Sequence, residues 1–105
     1  MRALIIDDYR RALEQCDVII SPVTPTPAWP LGTKSDPLSM YLTDILTIPT
    51  NLSGLPGMSL PCGFSAAGLP VGLQLQAAHC REDLMLRAAA AAEEQLALAA
   101  QRPQL

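Results

Sequence analysis

The chain of 105 residues is poor in the groups that most enzymes and nucleic-acid binders rely on. It holds a single lysine, Lys34, a single histidine, His79, and only four aromatic side chains. Its six serines (Ser21, Ser35, Ser39, Ser53, Ser59, Ser65) are never adjacent to one another, and none follows a glycine. A serine nucleophile needs a base within hydrogen-bond reach and donors for the oxyanion. No stretch offers that arrangement, so no catalytic residue is assigned. Clusters of Lys or Arg are also missing, and the formal charge is −3. Direct nucleic-acid binding is therefore disfavoured, because phosphate contacts need concentrated positive charge.

Other absences narrow the class further. No apolar run approaches the ~20 residues that span a bilayer. Met1-Arg2 precedes only four apolar residues before Asp7-Asp8, which is not a signal-peptide pattern. The three cysteines, Cys16, Cys62 and Cys80, are odd in number and far apart. That spacing suits reduced thiols in a cytoplasmic setting better than a disulfide framework. No metal site is expected, because His79-Cys80 stands alone without further ligands at metal spacing.

What the chain does have is apolar residues, 50% of the total, and ten prolines. Arg2 to Gln15 reads as an amphipathic helix with Ile5, Tyr9, Ala12 and Cys16 on one stripe, widened by Ile6 and Leu13. Its other face offers Asp7–Arg11 and Arg10–Glu14 as i,i+4 pairs. Val18-Ile19-Ile20 predicts a short strand buried on both faces, ending at Ser21-Pro22. Pro22 to Pro37 predicts a stiff, extended loop that docks through Val23, Trp29 and Leu31.

Asp36-Pro37 predicts a helix start, with Asp36 as N-cap and Pro37 at the first helical position. That helix should run from Leu38 to about Leu46, with a second short helix after Pro49 to about Leu52. Met58–Pro61 and Val71–Gln76 predict two strands of a hairpin joined through Phe64–Leu69, with Pro61 demanding an edge or a bulge. Glu82 to about Ala100 predicts a helix with Met85, Ala89, Ala92, Leu96 and Ala99 inward and Pro103 as its stop. The order helix, strand, helix, strand, strand, helix gives an α/β class.

The most constrained stretch is Asp36–Gly63, DPLSMYLTDILTIPTNLSGLPGMSLPCG, with seven prolines and glycines between short apolar pieces. Together with Gly68-Leu69-Pro70-Val71-Gly72-Leu73-Gln74-Leu75 it resembles the C-terminal part of the amidase signature family. Asp36-Pro37-Leu38-Ser39-Met40-Tyr41-Leu42-Thr43-Asp44-Ile45-Leu46-Thr47-Ile48-Pro49 is similar to the tRNA-dependent amidotransferase branch of that family. The resemblance covers about Arg2 to Ala92.

Several expectations come from the resemblance alone. It implies the C-terminal portion of a mixed sheet flanked by helices, with residues 1–101 as ordered core and 102–105 as tail. It implies a fragment without the serine–serine–lysine segment that carries catalysis in the family, so the chain by itself is expected to be inactive. The larger enzyme would hydrolyse glutamine and pass ammonia to a partner that amidates Glu-tRNA(Gln) or Asp-tRNA(Asn). The B and C subunits of the amidotransferase would be the partners. ATP and magnesium would belong to the B-subunit, with no cofactor in this chain.

Asp44 would contact the ammonium group of glutamine through a charge-assisted hydrogen bond. A solvated helix-face aspartate is the bland alternative. Tyr41 would line the same pocket or serve packing. Asn51 is expected to pin its loop, Cys62 to be an inert thiol, and His79 to lie on the surface. His79 stands in a loop that reads differently in the family, and Thr50 stands where the family usually has valine. The competing readings are a segment of another amidase-type hydrolase and an inactive remnant or interaction module.

Overall fold

The computed structural model describes residues 1–33, 35–98 and 100–102. The elements follow the order α1 (Arg2–Leu13), β1 (Val18–Pro22), α2 (Pro37–Thr43), α3 (Ile48–Ser53), β2 (Gly57–Phe64), β3 (Pro70–Ala77) and α4 (Glu82–Leu96). The expected α/β order is thus present, with the middle helix in two pieces. Lys34, Ala99 and Pro103, the last two expected to extend and stop α4, lie outside the described residues, as does most of the expected tail.

The sheet runs β1-β3-β2, and both pairings are antiparallel. Ser21 lies opposite Gln74 on one side, and Ser59 lies opposite Gln74 on the other. The β2–β3 hairpin closes over Ser65–Leu69, where Ser65 N–H donates to the Leu69 carbonyl at 2.8 Å and Gly68 N–H to the Ser65 carbonyl at 2.9 Å. Pro61 lies on β2, which is an edge strand among the described residues, and the register shifts between Pro61 and Gly63. Edge and bulge together accommodate a residue with no N–H to give to the ladder.

β3 is the strand covered on both faces, not β1. Leu75 is 1% exposed and its neighbour Gln76, pointing the opposite way, is 2% exposed. Leu75 belongs to the apolar face, where Leu60, Ala77, Met85 and Ala89 form the core under α4. Gln74 and Gln76 belong to the other face, beneath α3, where Thr50 meets them. Ile20 on β1, by contrast, is 59% exposed. The expectation of two-sided burial for β1 fails at Ile20: it lies opposite Leu75 and so shares the apolar face, but β1 is an edge strand among the described residues and Val18 is its side chain that packs against the core under α4.

Other differences are local. In α1 the half-buried positions are Ile5, Asp7, Tyr9 and Leu13, while Ala12 and Cys16 are exposed. The helix packs chiefly on α3, which covers only part of the expected stripe. Arg10, not Arg11, takes Asp7, at 3.4 Å, and also takes Glu14 at 3.0 Å. One guanidinium between two carboxylates is satisfied at i−3 and i+4 together. α2 ends at Thr43 instead of Leu46, and α4 at Leu96, where Ala97 turns left-handed at φ 51°. In the loop, Val23 and Trp29 are half-buried as expected, but Leu31 is fully exposed.

The molecule is a slab of 42 × 37 × 17 Å with a radius of gyration of 15.4 Å. A compact domain of this length has about 13 Å. A slab one sheet and two helix layers deep leaves much apolar surface in water. Leu38, Met40, Tyr41, Leu42 and Ile45, all from α2 and the turn after it, are each more than two-fifths exposed.

Candidate functional site

The site is built around the turn between α2 and α3. α2 starts where Asp36 caps it: its carboxylate accepts from Ser39 N–H at 2.9 Å and from Ser39 Oγ at 3.1 Å. Pro37 fills the first helical position, where a missing N–H costs nothing. The helix closes after seven residues on Asp44, whose backbone sits at φ −98°, ψ 2°. The Asp44 carbonyl then accepts from Thr47 N–H at 3.0 Å, Ile48 N–H at 2.9 Å and Thr47 Oγ1 at 3.1 Å. Asp44 is therefore the C-cap of one helix and the anchor of the next.

The turn is also fastened to the sheet. Two residues beyond Asp44, the Leu46 carbonyl accepts from Gln74 Nε2 at 2.9 Å. The second proton of that amide goes to Ser21 Oγ on β1 at 3.1 Å, and its oxygen accepts from Thr50 Oγ1 at 3.4 Å. Thr50 Oγ1 in turn accepts from Gln76 Nε2. Proton directions agree throughout: the Thr50 hydroxyl gives its one hydrogen to Gln74 and receives from Gln76. Gln74 is 6% exposed, and among the described residues no buried side-chain polar atom lacks a partner.

α3 ends at Gly54, which turns left-handed at φ 71° and donates its N–H to the Thr50 carbonyl at 3.1 Å. Arg2 Nε donates to the Leu52 carbonyl at 2.8 Å, so α1 satisfies another orphan carbonyl of the same helix end. Next to α3 lies an open groove of about 460 Å³ lined by Thr47, Thr50, Asn51, Gly57, Ser59 and Gln74, among others.

Asp44 and Tyr41 are one helical turn apart, and the Asp44 N–H donates to the Tyr41 carbonyl at 3.1 Å. Both side chains face outward, and Tyr41 is 57% exposed. Tyr41 thus contributes no packing to the core of these residues. Asn51 is exposed, and the loop is pinned instead by Ser53 Oγ, which donates to the Thr50 carbonyl at 3.1 Å. Cys62 is a half-buried free thiol on the bulged part of β2. His79 is on the surface, with Nδ1 3.4 Å from the Gly54 carbonyl.

Gln74 and Gln76 were not singled out by sequence reasoning. Their alternation with Val71, Leu73 and Leu75 looks like the wet face of a strand. The available signal was the presence of two amides, rather than charges, on that face.

Comparison with known proteins places this geometry. The Amidase family model matches residues 1–86. The A-subunit of glutamyl-tRNA(Gln) amidotransferase from Desulfotalea psychrophila is 56% identical over 99 residues, covering 93% of this chain and 20% of that protein. The crystal structure of the Thermotoga maritima A-subunit of the same amidotransferase superposes with a TM-score of 0.79 at 43% identity, over 82% of this chain and 19% of the other. The 6-aminohexanoate cyclic dimer hydrolase structure superposes equally well, with a TM-score of 0.79 at 32% identity, over 98% of this chain and 24% of the other. The chain spans about a fifth of the length of the curated relatives it matches. With the family model covering most of its residues and the sheet superposing on solved members, the chain belongs to the amidase family.

Proposed function

We propose that this chain forms part of the glutamine pocket and supporting sheet of a glutaminase that serves tRNA-dependent amidation. The carrying observation is the placement of Asp44: an outward carboxylate on a backbone fixed from both sides by α2 and α3. Such a carboxylate can hold an ammonium group without reorganising. Similarity to the amidotransferase A-subunit at more than half identity supports the same reading. In it, Asp44 takes the glutamine ammonium and Tyr41 borders the pocket. The nucleophile is supplied by amidase sequence outside these residues.

The larger enzyme releases ammonia to the B-subunit, which carries ATP and magnesium, with the C-subunit in the same complex. The product is Gln-tRNA(Gln) or Asn-tRNA(Asn), and the setting is cytoplasmic. The exposed apolar side chains of α2 supply the contact with the rest of the amidase domain, because so thin a slab cannot cover them itself.

The test is a graft in which this chain replaces the matching segment of the Desulfotalea A-subunit, assembled with the B and C subunits. Glutaminase activity should be retained. Asp44→Ala should raise KM for glutamine about 10- to 100-fold, the loss of one hydrogen bond between charged groups. An unchanged KM would remove Asp44 from the pocket. Activity on a cyclic or aryl amide with none on glutamine would place the chain among the other amidases.

A further inference from the structure

We propose that Gln74 is a positioning residue for substrate selection: through the Leu46 carbonyl it sets where the Asp44 carboxylate stands. The inference rests on the reading of Asp44 as the ammonium contact. Gln74 lies on the central strand and is nearly enclosed, yet its amide reaches three different elements. Nε2 donates to Leu46 in the α2–α3 turn and to Ser21 on β1, and Oε1 accepts from Thr50 on α3. Both of its donors and its carbonyl oxygen are therefore engaged, by partners 24 to 53 residues away in sequence.

The coupling to Asp44 is short and stiff. Leu46 follows Asp44 by two residues, and the intervening turn is closed by three hydrogen bonds to the Asp44 carbonyl. A turn closed in that way moves as one piece. Moving the Leu46 carbonyl away from Gln74 consequently moves the Asp44 side chain with it. An apolar residue at 74 would fill the same space but hold nothing. A glutamate would present oxygen to the Leu46 carbonyl and bury a charge.

The test compares two amides in the grafted, fully assembled enzyme: glutamine, and glutaramate, which has the same amide and carboxylate but no ammonium group. Gln74→Met keeps the volume and removes both donors. It should raise KM for glutamine about tenfold, with kcat and the kinetics on glutaramate within about twofold, the size expected for a displaced binding group. Asp44→Asn should show the same selectivity, and the double variant should be no worse than Asp44→Asn alone.

If Asp44→Asn is selective but Gln74→Met weakens both substrates equally, Gln74 is merely structural and the proposal falls while Asp44 stands. If Asp44→Asn is not selective, the Asp44 reading fails and the proposal falls with it. Should Gln74→Met not fold, Ser21→Ala removes one anchor of the same amide. It should give a selective rise of about threefold in KM for glutamine, and a non-selective result there also overturns the proposal.

Discussion

Gly57 and Thr50 should behave as a coupled pair. Gly57 opens β2, and a Cβ built on it would lie 2.6 Å from Thr50 Cγ2. Carbon atoms in contact normally keep about 3.5–4.0 Å, so Gly57→Ala forces an overlap of about 1 Å. Thr50 cannot relieve it by rotating, because its hydroxyl is held between Gln74 and Gln76. Overpacking of this kind costs about 1–3 kcal/mol, offset by up to about 1 kcal/mol from the stiffer unfolded chain. A net loss of about 1–2 kcal/mol is expected. Thr50→Ser removes the offending methyl and keeps the hydroxyl, at about 0.8 kcal/mol for the lost group. With serine at 50, Gly57→Ala should therefore be nearly free, giving a coupling of about 1–2 kcal/mol. Amide hydrogen exchange along β2 and β3 in the grafted enzyme reads these free energies locally. Effects that add to within about 0.5 kcal/mol would show that Thr50 yields at no cost, and the idea that the amides fix its rotamer would be wrong.

Asp36→Ala should remove the cap of α2 and cost about 1 kcal/mol, whereas Asp36→Asn should lose little; urea denaturation and KM for glutamine measured together should both follow that order. Asp83 should titrate below its ordinary 3.8, chiefly because of the hydrogen bond from Arg81 and then the Leu84 N–H, and Arg81→Ala should return it towards that value by NMR. Since the folded pKa is the lower one, the stabilisation is present above the unfolded pKa and lost as pH falls through the folded value, so fraying at the start of α4 should grow on acidification below about pH 4.

The elements set by near neighbours were legible in the sequence. Asp36 and Pro37 announce α2 because capping and a fixed φ act within one turn. Pro61 announces a bulge because it has no N–H to give. The burial of each strand was less legible, because it depends on what packs above it. Val18-Ile19-Ile20 reads as a doubly covered strand, yet Ile20, on the same face as the buried Leu75, lies uncovered. Gln74 reads as a solvent-facing residue, yet its partners are Ser21 and Leu46, which no local pattern connects to it. Asp44 stands out in the sequence through the family resemblance and its apolar neighbours. The reason its backbone is so well held became visible only with the turn and the sheet together.

The two faces of β3 do different work, and the difference bears on the site. Burial of Leu75 against Leu60, Ala77, Met85 and Ala89 supplies driving force but little positional information, since apolar contacts are non-directional. The opposite face supplies direction. A slip of one residue in β3 would carry Leu75 to the polar side and Gln76 to the apolar side, leaving Thr50, Ser21 and the Leu46 carbonyl without their partners. Each abandoned, largely buried polar group costs about 1–3 kcal/mol, so the amides add a penalty of similar size to the one the apolar face already sets against the slipped register. The register that survives is the one that puts Gln74 under Leu46. The constraint that selects the sheet register is thus the same one that holds the Asp44 turn, and a protein that loses it should lose substrate selectivity before it loses its core.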